Sequence, residues 1–201
     1  MSLKLSYLSL FILLITGSTH AQIKHAQEIK NFQKKLNKLY CNPYKSPLPK
    51  KERKTFKGHH FFAIDSLYKI EAKFSKYKNP ASLQLKTTSD RLASFNKYGS
   101  IEFILNGTKQ RLTIYQSPNL GKSKKYRNRL FLPFNDLTNG NETYAGGRYI
   151  DLSIPEGDLI IIDFNKSYNP FCVYNHGYSC PVPPIENNLT IRIEAGIKAP
   201  K

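Results

Sequence analysis

Acidic residues are scarce in this chain. Fourteen Asp and Glu stand against 31 Lys and Arg in 201 residues, a formal net charge of +17. Such a balance raises nucleic acid, anionic lipid and anionic glycan as partners. Arginine is a minority of the basic residues, however, and the lysines are widely spread. Fork-like recognition of phosphate favours Arg over Lys, so the pattern fits a solvated basic surface, and no specific nucleic-acid partner is expected. Cysteine is sparse as well, with three residues, Cys41, Cys172 and Cys180. After the first 21 residues no segment is apolar enough to span a bilayer, which takes about 20 residues. There is no nucleophile elbow, phosphate-binding loop, zinc signature or dinucleotide fingerprint. No cofactor or metal is therefore expected. No internal repeat or low-complexity segment is present, which argues against a solenoid.

What is present begins with an export signal. Lys4 gives a weakly positive start, Leu8–Ile15 an apolar core, and Thr19-His20-Ala21 a small-residue cleavage site, with cleavage placed after Ala21. The expected location is periplasmic or secreted. The organisation expected is a signal peptide over 1–21, a helical segment over 22–57 and a β-rich domain over 58–201, with 22–201 one globular unit. Charge is unevenly shared: residues 24–57 carry eleven basic and two acidic residues, whereas 142–187 carry two basic and six acidic. The second stretch is an acidic island in a basic protein.

Apolar residues at Ile23, Ala26, Ile29, Phe32, Leu36 and Leu39 follow the helical period, with lysines opposite. Ser46-Pro47 reads as a second helix start, with Ser as N-cap. Of the adjacent His59 and His60, one is expected to be packed and the other exposed, since neighbouring side chains of an extended chain point apart. Period-two alternation then takes over: strands are expected over 68–75, 82–88, 93–98, 100–105, 108–116 and 129–134, with Asn106-Gly107 as a tight hairpin turn. Residues 148–153 and 159–164 are expected to pair as a hairpin around Pro155-Glu156-Gly157. Ile160-Ile161-Ile162 is apolar on both faces, which places that strand centrally. A last strand is expected over 190–195. The fold class is mainly β, an antiparallel β-sandwich or partly closed β-barrel with one N-terminal amphipathic helix.

The candidate site lies in 142–187, where a strand runs into a long loop rich in Tyr, Asn, Pro and Cys. Tyr144, Gly146 and Gly147 precede Arg148, whose guanidinium would clamp a carboxylate or phosphate, or else pair with Asp151 or Asp163 inside the fold. Asp163 and Asn165 point the same way at a strand end, to hold a ligand or to bond the loop backbone. Tyr168 and Asn169 sit in a turn. Pro183-Pro184 aims Glu186 and Asn187; Glu186 would form an acid/base pair with Asp163 or tie to Arg148. Cys172 and Cys180 would close a disulfide; a metal site lacks spacing support, and a reactive thiol would draw on His176.

The runs FLPFNDLTNGNETYAGGRYIDL and IDFNKSYNPFCVYNHGYSCPVPPIENNLTIRIEAG, with the earlier KERKTFKGHHFFAIDSLYKIEAKF, resemble the signature of domain-of-unknown-function family 1684. The likeness covers almost all of the chain after the signal. Ala145 departs from it where a third glycine is usual, as do His59-His60. The resemblance implies a bacterial and archaeal domain without an established activity, and paired cysteines in members that lack export signals. Three functions stand at this point: a domain binding a small polar ligand at 142–187; a hydrolase-like enzyme using Asp163 and Glu186; and an envelope protein meeting anionic lipid or glycan weakly through its lysine face. The oligomeric state is open.

Overall fold

Alternating apolar residues curl the β-region into one sheet that almost closes on itself. The computed structural model describes residues 3–200, with the side chains of 21–119 and 122–200. Its strands are β1 (Lys69–Lys76), β2 (Ser82–Lys86), β3 (Leu92–Leu105), β4 (Thr108–Gln116), β5 (Arg129–Phe134), β6 (Arg148–Ser153) and β7 (Leu159–Asp163). The hydrogen-bonded order is β6-β5-β4-β3-β1-β7, with β2 on the outer half of β3. The result is a nearly closed antiparallel barrel with one seam, between β6 and β7.

Two expected strands, 93–98 and 100–105, are one 14-residue β3. A bulge between Lys97 and Gly99 bends it, so that its first half pairs with β2 and its second with β1. Gly99 is needed there, because a Cβ would lie 2.6 Å from the Ser75 carbonyl oxygen. The Asn106-Gly107 turn forms as expected, with φ of 51° and 73°. The interior is filled by Ile101, Leu112, Ile114, Leu130, Leu132 and Ile162 among others, all fully buried. Each contributes roughly 1.5–3 kcal/mol of burial.

Helix α1 (Leu3–Cys41) contains the expected amphipathic stretch. The export signal expected over 1–21 concerns side chains outside the described residues, apart from Ala21. His25, Ile29 and Tyr40 form the buried stripe, while Ile23 is exposed and off it. The helix packs on two short 3-10 turns, Ser66–Tyr68 before β1 and Phe164–Lys166 after β7. Helix α2 (Lys50–Thr55) starts at Pro49 without a side-chain cap. Ser46, expected to cap it, instead donates to the Tyr40 carbonyl and accepts from Leu48 N–H. A further short helix, α3 (Pro118–Gly121), follows β4.

Three strand expectations are corrected. Residues 148–153 and 159–164 are consecutive and antiparallel but form no ladder, and β7 ends the sheet instead of lying centrally. Residues 190–195 form no strand, because the carbonyls of Ile193 and Ala195 turn to Arg148 instead of to a neighbouring strand.

His59 and His60 divide as expected: His60 is exposed and His59 half-buried. The His59 ring sits edge-on to Tyr40 at 4.2 Å between centroids, against Phe56 and Tyr174. Its Nε2 is buried with no partner among the described residues. Burial, helped by His60, holds the imidazole down to about 4. With the folded value below the unfolded one, about 6.5, the unfolded chain binds more protons between the two. Stability from this site is therefore complete above about 6.5 and lost as pH falls towards 4. In urea titrations across that range, His59→Leu is expected to flatten the pH dependence; an unchanged slope would place the sensitivity elsewhere.

Candidate functional site

Arg148 begins β6 on the face that carries Ile150 and Leu152, so alternation drives its guanidinium into the protein, where it is fully buried. Its partner is Asp136, at 2.8 Å and equally buried, and not Asp151, Asp163 or Glu186. The guanidinium also donates to the carbonyls of Ile193, Ala195 and Ile197 and to Ser167 Oγ, and lies over the Phe134 ring. Burial works to lower its pKa, and Asp136 opposes that. Asp136 in turn accepts from Thr138 and from Ile193 N–H. Both terminal nitrogens are committed to the fold, while Nε is buried with no hydrogen-bond partner among the described residues. Arg148 is a clasp that fastens the C-terminal segment across the end of the barrel. Gly147 lets it enter: φ is 87°, and a Cβ would strike Asn135, Pro183 and the Phe134 carbonyl. Gly146 leaves room for the Tyr144 ring.

The other expected residues fall into separate groups. Asp163 is buried, 2.8 Å from His25 Nε2 of α1, and accepts from Asn165 N–H and Nδ2. Asn165 also bonds both backbone groups of Asp65. This network fastens α1 to the barrel. Asn187 is a second tie: its side chain accepts from Thr113 N–H and donates to the carbonyls of Thr113 and Pro133. It fills the gap where β4 and β5 register only at Tyr115 and Phe131. Asn169 donates to Tyr174 Oη and the Lys198 carbonyl. Glu186 accepts from Tyr115 Oη and pairs with Lys97. Glu186 and Asp163 thus have separate partners, Tyr115 and Lys97 for the one and His25, Asn165 and Lys166 for the other.

Cys172 and Cys180 are free thiols, as is Cys41, and the expected disulfide is not formed. Cys180 is pinned to Thr88 through both its backbone groups, and its Sγ accepts from Cys172 N–H at 3.2 Å. Cys172 is held below the ordinary thiol range, first by a hydrogen bond from Cys180, then by Thr88 and Tyr144. His176, expected to activate a thiol, is exposed and takes no part.

One concave surface does gather expected residues. On the outward face of the sheet, Phe131 of β5 stacks with Phe95 of β3 at 5.3 Å and meets Tyr149 of β6 edge-on at 4.8 Å. The long loop crosses this face. Tyr168 is tied to Tyr149 by a pair of backbone hydrogen bonds, and Tyr149 Oη donates to the Pro181 carbonyl. Between sheet and loop lies a hollow of about 420 Å³ lined by Phe95, Phe131, Tyr149, Phe171 and Pro181, with Cys180 at its wall. At its polar rim Asp151 pairs with Arg129 and accepts from Tyr168 Oη at 3.1 Å. Burial, then Asp151, pushes the Tyr168 phenol well up, so it stays a donor. Asp151 and Tyr168 were expected site residues; Arg129, Phe95 and Phe131 were not. The available signal was Phe131 itself, an aromatic residue on the outward face between inward Leu130 and Leu132.

With that geometry in hand, the comparisons are specific. The family described as "Protein of unknown function (DUF1684)" matches residues 54–198. The chain belongs to that family. The matched span takes in all seven strands, the clasp and the hollow. Among solved structures, the chain is similar to the solution NMR structure of an uncharacterized protein of Haloarcula marismortui, with 30% identity and a TM-score of 0.69, covering 89% of this chain and 96% of that one. Among curated proteins none matches.

The clasp makes a sharp prediction. Arg148→Met leaves Asp136 charged and buried, at a cost of about 3–5 kcal/mol, measured by urea unfolding. A ligand-binding arginine would change stability by less than about 0.5 kcal/mol.

Proposed function

We propose that this DUF1684 domain is a small-molecule-binding barrel of the cell envelope, and that its ligand enters the outward hollow between the sheet and the 168–181 loop. The observation that carries the reading is the lining: half-buried aromatic rings around about 420 Å³, with Arg129, Asp151 and Tyr168 at one end. Ligand sites have this character, a concave apolar body with a few placed polar groups, and commonly span about 300–1,000 Å³. The walls select a flat, apolar-bodied molecule. One Arg129 nitrogen is engaged by Asp151, and the exposed guanidinium keeps further donors for a carbonyl or carboxylate on the ligand.

The signal-like pattern over residues 1–21 supports an envelope location. Among the described residues, the contacts of α1 with the barrel run from His25 through Ile29 to Tyr40; cleavage after Ala21 keeps these. The exposed lysines of α1 and α2 would add a weak, salt-sensitive contact with anionic envelope surfaces.

Two measurements test this. Calorimetry with 2-naphthoate as a flat anionic probe is expected to show saturable binding, weakened about tenfold by Arg129→Gln, the scale of one charge-assisted hydrogen bond, and weakened also by Phe131→Ala. Binding indifferent to both substitutions would reject the hollow. Mass spectrometry of protein expressed from the full gene is expected to find a chain starting at Gln22; an intact Met1 start in the envelope fraction would reject the cleavage.

A further inference from the structure

The strand that sequence placed in the centre of the sheet lies at its edge, and it keeps the composition of a central strand. Ile160 and Ile162 of β7 point into the core, while Leu159 and Ile161 point outward and are about half exposed. Exposed aliphatic residues on an unpaired edge are what sheet proteins avoid, by charge, proline or a cover. Within β7 the one charge is Asp163 at its end, buried and engaged by His25, and Leu159–Ile162 carry neither charge nor proline.

The backbone is unpaired as well as the side chains. Phe74 N–H bonds the Asp158 carbonyl, and antiparallel alternation then turns the main chain of Ile160 and Ile162 towards β1, leaving that of Leu159 and Ile161 facing the seam. Across the seam, Tyr149 exchanges its hydrogen bonds with Tyr168 on the side away from β5, which aims Asp151 and Ser153 into the same gap. A groove of about 690 Å³ runs between β6 and β7, floored by Ile150, Leu152 and Ile160.

We infer that this seam is an acceptor for an extended segment of another protein, a strand that carries Lys or Arg and alternating apolar side chains and closes the barrel by pairing with β7. Charge selects the occupant. The groove is lined by Asp151, Glu156, Asp158 and Asp163 against Lys166 alone. Asp151 is engaged by Arg129, and Asp163 by His25 and Lys166, but Glu156 and Asp158 are exposed and form no ion pair among the described residues. A second copy fits poorly, because edge-to-edge pairing would bring the same acids together. The backbone edge supplies affinity, and the outward Leu159 and Ile161 supply contact with alternate side chains of the guest. This groove shares Asp151 with the aromatic hollow, whose other lining comes from β3, β5, β6 and the 168–181 loop.

The test uses the full-length mature chain and a fluorescent, end-capped (Lys-Val)4 peptide. Anisotropy is expected to show saturable binding below about 1 mM, with Leu159 and Ile161 amides gaining protection from hydrogen exchange. A peptide of identical charge with N-methylated valines is expected to bind about tenfold more weakly, as is the peptide to Ile161→Lys. Three results would overturn the proposal: no saturable binding; equal binding of the N-methylated peptide, which means adhesion by charge alone; or prior protection of the Ile161 amide in a dimer without peptide.

Discussion

One buried ion pair organises the second half of this protein. Arg148 and Asp136 sit fully buried 2.8 Å apart, and a charge pair out of water persists only when further hydrogen bonds repay its lost hydration. Here the repayment comes from the carbonyls of Ile193, Ala195 and Ile197. The C-terminal segment is therefore coil because of the arginine, and it packs across the barrel end instead of adding a strand. The same constraint fixes where β6 enters and how the long loop leaves: Ser167, next to Tyr168, is bound to the guanidinium too. The loop thus begins from a rigid point as it crosses the outward face.

Much of the scaffold was legible because it rests on local pattern. Period-two alternation gave β1, β4 and β5, and Asn106-Gly107 gave the hairpin, since both positions need positive φ. What failed depends on distant partners. The bulge that makes β3 one strand reflects the close approach of Ser75 to Gly99, which no local window contains. The open seam contradicts a hairpin pattern that was locally sound. Leu159 to Ile162 are apolar on both faces, and only the topology shows that one face lacks a neighbour.

The site was legible in part, for a related reason. Polar residues within 142–187 all looked functional, because sequence cannot separate a buried polar group that serves the fold from one that serves a ligand. Arg148, Asn165 and Asn187 are buried and bonded to backbone, so they are ties. Asp151 and Tyr168 reach a surface hollow, but their companions Phe95, Phe131 and Arg129 come from strands outside that stretch. The acidic island proves to be divided among several jobs: Glu142 pairs with Arg192, Asp163 with His25, Glu186 with Lys97, and Asp151 with Arg129.

The proposed recognition lies on the outward aromatic face, with the buried ties beneath it as structural support. Intermolecular nuclear Overhauser effects between the protein and bound 2-naphthoate test this most directly. Contacts from the naphthyl protons to the rings of Phe95, Phe131 and Phe171 are expected. Contacts confined to the lysine-rich faces of α1 and α2, or to Leu159 and Ile161 at the seam, would contradict it.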